Sequence, residues 1–382
     1  MIYFDNNATT QIAPQVFDAM RSCLESSFGN PSAAYMLGRE AAKTVLDARE
    51  SVAGLIGAKS ASEITFTSCG TESDNWAIIG ALGANPGKNH IITTKVEHDA
   101  IRKLCEKLEK DRFRVTWLDV DDQGALDLDG LREALSEETA VVSTMLANNE
   151  TGILFPVKKI GEIVKEYSNA LFHVDGVNAV GKIDINLKET EIDLFSLSGH
   201  KFHGPKGIGA LYILDSVSLP AFFTGGGQEY GRRAGTEAVH QIAGIGAAAI
   251  FVKDMSPMDK VRALRDRLET EILNNIPNSR LNGTADPTKR LPNTSSISFE
   301  NTNGEMILER LDTLGICVST GSACNSLDHI ASSVLQAMNI PYSSAMGAIR
   351  FSLGRFNTDG EVDFVIDALP GVVSSLREIA GL

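Results

Sequence analysis

Glu63-Ile64-Thr65-Phe66-Thr67-Ser68-Cys69-Gly70-Thr71-Glu72 is where a strand gives way to a helix. Residues 63–68 alternate β-branched and aromatic side chains as a short strand does, and 72–82 has a helical pattern. Only small polar residues and a glycine separate them. The alternation repeats downstream: strands are expected at 91–96, 115–120, 140–147 and 171–174, and helices at 100–110, 128–135 and 157–167. Strand and helix in turn imply βαβ units, hence an α/β fold whose largely parallel sheet is covered on both faces. Two more strands, 192–197 and 209–214, have only a loop between them and should run antiparallel.

Upstream, residues 1–12 are extended and polar, Pro14 opens a first helix, and 38–56 carries a helical apolar stripe. Downstream, 237–253 reads as a helix rich in Ala and Gly. The pattern changes at Met255-Ser256-Pro257. A charged amphipathic helix (259–273) follows, then strands at 295–299, 316–319 and 348–353 and helices at 305–314, 331–338 and 362–379. The expected division is a large domain over 13–255 and a smaller α+β domain made of 1–12 and 256–382.

Composition narrows the partners. With 35 Lys and Arg against 49 Asp and Glu, the net charge is −14, which argues against nucleic acid or an anionic membrane. The longest apolar stretch, around 242–252, is too short to cross a bilayer, and no signal-peptide pattern opens the chain. The five cysteines (Cys23, Cys69, Cys105, Cys317, Cys324) form no C-x-x-C pair and no zinc pattern. The expectation is a reduced, cytoplasmic protein with no metal and one reactive thiol.

Ligands of such sheets bind beyond the carboxyl ends of the strands. Polar residues gather there. Phe195-Ser196-Leu197-Ser198-Gly199-His200-Lys201 ends a strand in a tight turn bearing a lysine. Desolvation there favours the neutral amine, a nucleophile suited to an aldehyde. Gly70 and Thr71 open a helix, as an anion site does. His98 follows a strand and could lie flat on a planar ring. Asp175 ends the apolar run Leu171-Phe172-His173-Val174, where an acid needs a partner. An Asp for a pyridinium nitrogen and a Lys for an imine together suit pyridoxal phosphate. The glycine-rich basic loop from Gly225 to Thr236 offers a second phosphate contact. Cys324, among the small residues of Ser319-Thr320-Gly321-Ser322-Ala323-Cys324, has the setting of a reactive thiol. Taken singly, each motif also reads as a helix cap, a surface turn or a linker.

Together the motifs resemble those of the cysteine desulfurases of nitrogen fixation and iron–sulfur-cluster assembly, within the fold-type I pyridoxal-phosphate superfamily. The likeness runs through Tyr3-Phe4-Asp5-Asn6-Asn7-Ala8-Thr9-Thr10, Thr67-Ser68-Cys69-Gly70-Thr71-Glu72-Ser73, Ala147-Asn148-Asn149-Glu150-Thr151-Gly152, Ser198-Gly199-His200-Lys201, Arg232-Arg233-Ala234-Gly235-Thr236 and Ile349-Arg350-Phe351-Ser352. It implies a seven-stranded, mainly parallel sheet in the large domain. Lys201 would carry the Schiff base, His98 would stack on the ring and Asp175 would hold the pyridine nitrogen. Gly70, Thr71, Ser198 and His200 would hold the phosphate, with Thr236 reaching across from a second subunit of a homodimer. Asn178 would face the ring, Asn149 and Arg350 would take the substrate carboxylate, and Cys324 would accept sulfur as a persulfide. The implied reaction converts L-cysteine to L-alanine and passes sulfur to an iron–sulfur scaffold or another acceptor protein. Alternatives are selenocysteine lysis or other chemistry on the same cofactor, and a non-catalytic sulfur-assembly protein.

Four positions depart from the family pattern. Asn178 stands where Gln is usual, Tyr230 where Arg is usual and Ala238 where Asn is common. The segment after Cys324 reads Asn325-Ser326-Leu327-Asp328-His329-Ile330 instead of the family's Leu-Glu-Pro-Ser-His. The departures bear on turnover and on which acceptor docks.

Overall fold

The computed structural model describes residues 1–320 and 331–379. A short strand β1 (Ile2–Tyr3) leads into the helices α1 (Pro14–Glu25) and α2 (Met36–Leu55). The large sheet then forms from β2 (Ile64–Thr67), β3 (His90–Thr94), β4 (Arg114–Leu118), β5 (Thr139–Met145), β6 (Leu171–Asp175), β7 (Leu194–Ser198) and β8 (Gly209–Ile213). Its order is β2-β8-β7-β6-β5-β3-β4. Every pairing is parallel except the two made by β8, which runs antiparallel to both neighbours. The expected antiparallel pair is therefore β7–β8, and the sheet has the seven strands implied. All strands but β4 are buried on both faces or nearly so, as parallel strands between helical layers must be.

The connecting helices are α3 (Gly70–Ala84), α4 (Asp99–Lys110), α5 (Leu128–Ala134) and α6 (Val157–Tyr167). Helix α7 (Val239–Val252) is apolar almost all round and packs against α1 and α2. Gly246 permits this: a Cβ there would sit 2.6 Å from the Ala48 Cα.

Beyond α8 (Pro257–Asn275) a second sheet forms from β9 (Ser279–Leu281), β10 (Thr294–Phe299) and β12 (Ala348–Ser352), in the order β12-β10-β9, all antiparallel. Between them lie α9 (Gly304–Thr313), β11 (Ile316–Cys317), which pairs with β1, and the short helices α10 (Ser333–Ala337) and α11 (Tyr342–Met346). The chain closes with α12 (Asp359–Ile379). Phe4 is buried in the apolar cluster of this second sheet, so the amino-terminal segment crosses to it. Residues 331–348 pack instead with the large cluster under the first sheet. No described helix is long and apolar enough to cross a membrane.

One buried ion pair locks the loop after the large sheet. Arg49 on α2 donates two bonds to Glu229, at 2.6 and 2.8 Å, and the Phe66 N–H donates a third at 2.9 Å. Glu229 and Tyr230 both adopt left-handed backbone (φ 48° and 59°), a strain this anchoring offsets. Glu229→Ala would strand a buried guanidinium. It should cost about 3–5 kcal/mol, read as a lowered denaturation midpoint.

Candidate active site

The carboxyl ends of β2, β5, β6 and β7 open onto one cavity of about 320 Å³, a size usual for a small-ligand site. Gly70, Thr71, His98, Asn149, Asp175, Asn178, Ser198, His200 and Lys201 all line it. Arg350 sits beside it, bonded to the Asn149 carbonyl. Thr236 is exposed and does not line this cavity. Cys324 lies outside the described residues.

Each side chain arrives by a local rule. Ser198 is the last residue of β7, and a single 3₁₀ turn, Gly199–Lys201, swings the lysine back over the strand end. The Lys201 Nζ donates to the main-chain carbonyls of Asn7 (2.5 Å) and Ala8 (3.1 Å). Burial pushes its pKa down to about 8, and Arg350 adds to the effect, while Asp175 and Asp5 oppose it. Asp175 ends β6, and its Oδ1 accepts the Val177 N–H at 2.8 Å. Burial pushes this acid up. His98, the Val177 N–H and Lys201 pull the other way. His98 caps α4: its Nδ1 accepts the Ala100 N–H at 3.1 Å. The neutral ring therefore carries its proton on Nε2.

Cofactor fit can be judged from the donors alone. The Ser198 hydroxyl is buried with no hydrogen-bond partner among the described residues. Beside it α3 begins at Gly70, presenting its first N–H groups and its positive dipole end. A Cβ on Gly70 would lie 2.7 Å from Val177, so no larger residue fits there. With Thr71 and His200 these groups form a cradle for a phosphate. Burial and the nearby Lys201 hold the His200 pKa at about 4, so its ring serves as a neutral donor. An amine, an acid at a strand end, a fixed imidazole and an anion cradle, all lining one cavity, suit pyridoxal phosphate.

Asn178 lines the cavity, but its amide is engaged. Its Oδ1 accepts from Lys182 at 2.7 Å and its Nδ2 donates to the Asn148 carbonyl at 3.3 Å. Arg350 donates to Asp5 at 2.6 Å and to the Asn149 carbonyl at 3.0 Å. Its Nε has no partner among the described residues.

Three contributors escape sequence reading. The Asn7 and Ala8 carbonyls are main-chain atoms and leave no sequence signal. Lys182 reads as an ordinary surface lysine. Asp74 lines the cavity one helical turn past Gly70, and that i, i+4 spacing was the available signal. Burial and the adjacent Asp175 raise the Asp74 carboxyl well above the usual range. His173 lies 3.6 Å from it and is held neutral by burial, its pKa near 3, so the contact is no ion pair.

Residues 2–365 match the aminotransferase class-V family. The chain is 51% identical to a protein named cysteine desulfurase 2 from Trichormus variabilis, over 100% of this chain and 95% of that one. It is 45% identical to the cysteine desulfurase NifS of Azotobacter vinelandii, over 99% of this chain and 94% of that one. A solved structure of a NIFS-like protein superposes with a TM-score of 0.91 at 38% identity, covering 98% of this chain and all of the other.

The depressed pKa of Lys201 sets a pH dependence. An amine with a lowered pKa loses its proton at lower pH, so its reactive fraction rises through about pH 8. Capture of pyridoxal phosphate by the ligand-free protein should accelerate with a midpoint near 8, far below an ordinary lysine. Borohydride trapping followed by peptide mapping should place the label on residue 201.

Proposed function

This chain belongs to the aminotransferase class-V family, and on that premise we propose that it is a pyridoxal-phosphate-dependent cysteine desulfurase, taking sulfur from L-cysteine and leaving L-alanine. The observation that carries the reading is the convergence of Lys201, Asp175 and His98 on one cavity beside an anion cradle. When bound, the cofactor supplies an electron sink for the charge left as the substrate loses its Cα proton.

The chain's own groups do the rest. Lys201 would hold the cofactor through its amine and, once free, would serve as general base at the substrate Cα. A pKa near 8 suits that task, since a base works best when its pKa lies close to ambient pH. Asp175 keeps the ring nitrogen protonated. His98, with Nδ1 committed to the Ala100 N–H, stacks on the ring and offers its Nε2 proton. Gly70, Thr71, Ser198 and His200 bind the phosphate. Asn149 and Arg350 bind the substrate carboxylate. One edge of Arg350 is tied to Asp5, so substrate takes the remaining donors or displaces that acid. Asn178 faces the ring through whatever its engaged amide leaves free. The thiolate of Cys324 attacks the substrate sulfur; the S–S bond of a persulfide forms as the Cβ–S bond breaks, the bonding pair stays with the substrate carbons, and a proton taken up at Cβ and one returned to Cα leave alanine.

The enzyme works as a homodimer in the cytoplasm, with Thr236 completing the partner's phosphate site and an acceptor protein, an iron–sulfur scaffold among the candidates, collecting the sulfur. The exposed position of Thr236 supports that assignment. The large domain over 13–255 holds the cofactor, and the smaller one is drawn from the segments 1–12 and 256–382, of which residues 331–348 pack against the large domain. Among the described residues there is no cluster of His, Cys, Asp and Glu suited to a metal ion.

Cys324→Ala should keep the visible band of the bound cofactor yet release no sulfide from cysteine in the presence of a thiol reductant. Normal sulfide release by this variant contradicts the sulfur-accepting role. Lys201→Ala should lower alanine formation by at least the 10²–10⁴-fold expected of a lost general base, measured by amino-acid analysis of the product.

A further inference from the structure

A second lysine lies under the first. Lys182 is buried, and its Nζ donates to Asn7 Oδ1 at 2.9 Å and to Asn178 Oδ1 at 2.7 Å. The polarity of both amides is fixed from outside. Asn7 Nδ2 faces the Asn149 carbonyl at 3.1 Å, and Asn178 Nδ2 faces the Asn148 carbonyl at 3.3 Å. Main-chain carbonyls only accept, so both amide oxygens point toward Lys182; that of Asn7 also accepts from Asn293 Nδ2 at 3.1 Å, while that of Asn178 has Lys182 as its donor. Asn7 has a second role, because its main-chain carbonyl accepts the Lys201 Nζ. One asparagine thus holds two lysine nitrogens, one through its side chain and one through its backbone. Both lysines also line a small pocket of about 20 Å³ behind the cavity.

We propose that Lys182 is a positioning residue for the reaction: through Asn7 and Asn178 it fixes the acceptor of Lys201 and the adjoining cavity wall. The inference rests on Lys201 being the residue linked to the cofactor. Burial, then Lys201 and Arg350, push Lys182 well below the usual lysine range. The other charged groups around the pair are Arg350 on β12, Asp175 at the end of β6, Asp5 in the amino-terminal segment and Arg355 after β12. His200 and His203 are neutral, each held near pKa 4 chiefly by burial. Asn178 thus has a use that the longer glutamine of the family pattern does not show by sequence: it is a ligand of Lys182.

The test follows capture of pyridoxal phosphate by the ligand-free protein, read from the growth of the visible band, beside kcat and KM for L-cysteine. Lys182→Met removes the donor while keeping the length. Capture should slow about tenfold or more, and kcat should fall with KM little changed, because the support of Lys201 and not the binding of substrate is lost. Lys182→Arg keeps a donor and should recover most of both losses. A folded Lys182→Met protein with the parent capture rate overturns the proposal, as does Lys182→Arg losing as much as Lys182→Met. If Lys182→Met does not fold, Lys182→Gln decides, since its shorter side chain cannot serve both amides: slowed capture supports the proposal and the parent rate overturns it. Failure of the underlying reading has a separate signature, because Lys201→Ala would then keep the parent band.

Discussion

A buried amine must have acceptors, and that constraint organises this molecule. Lys201 gains its reactivity by losing water, yet an ammonium or amine stripped of water and left unbonded is costly. The Asn7 and Ala8 carbonyls supply the bonds. They can do so only because the amino-terminal segment is stitched across both sheets. The Asn6 and Asn7 N–H groups donate to the Ser352 carbonyl and hydroxyl, and Asn7 Nδ2 donates to Thr294. Thr10 returns to the His200 carbonyl, through its N–H and its hydroxyl at 2.8 Å each. The reactive lysine therefore sits at the seam between the two sheets, held by the strand of chain that joins them.

The acids behind the cavity obey the same electrostatics with the sign reversed. Asp175, Asp74 and Glu97 are all buried; Asp175 disfavours charge on both Asp74 and Glu97, and Glu97 adds to the effect on Asp74. Glu97 is pushed up to about 8 by burial, with Asp175 adding to it, despite bonds from Thr94 and Met145. Asp74 is raised well above the usual carboxylate range by burial and by Asp175. Asp175 alone of the three has His98 and Lys201 beside it to favour its anion. One negative charge among three carboxyls is thereby steered to the residue at the strand end.

Much of this was legible in the sequence because periodicity and polarity report on strands and their ends. The βα alternation from β2 to β6 read clearly, and so did the β7–β8 reversal, because a loop too short for a crossover forces antiparallel pairing. Boundaries slipped by one to three residues, as at Leu194–Ser198 and at the start of α12, since end residues carry no periodic signal. The strand expected at 316–319 is present as the shorter β11, Ile316–Cys317, whereas its partner β1, read only as part of an extended segment, is too short to show any period. In the site, Lys201, Asp175, His98 and the Gly70-Thr71 turn were readable as polar residues at apolar strand ends. Lys182 and Asp74 were not: their importance comes from burial, and a lysine or aspartate looks the same in sequence whether solvated or enclosed. The Asn7 carbonyl could not be read at all, because main-chain acceptors are set by tertiary approach.

The central claim is that Lys201 and Asp175 grip the two ends of one planar ligand in the cavity beyond β6 and β7. A crystal structure of the protein loaded with pyridoxal phosphate tests it most directly. The account predicts continuous density from Lys201 Nζ to the cofactor's aldehyde carbon, the ring nitrogen within hydrogen-bond distance of Asp175, and the phosphate at Gly70, Thr71 and Ser198. Density that joins the cofactor to another lysine, or a ring nitrogen turned away from Asp175, would contradict it.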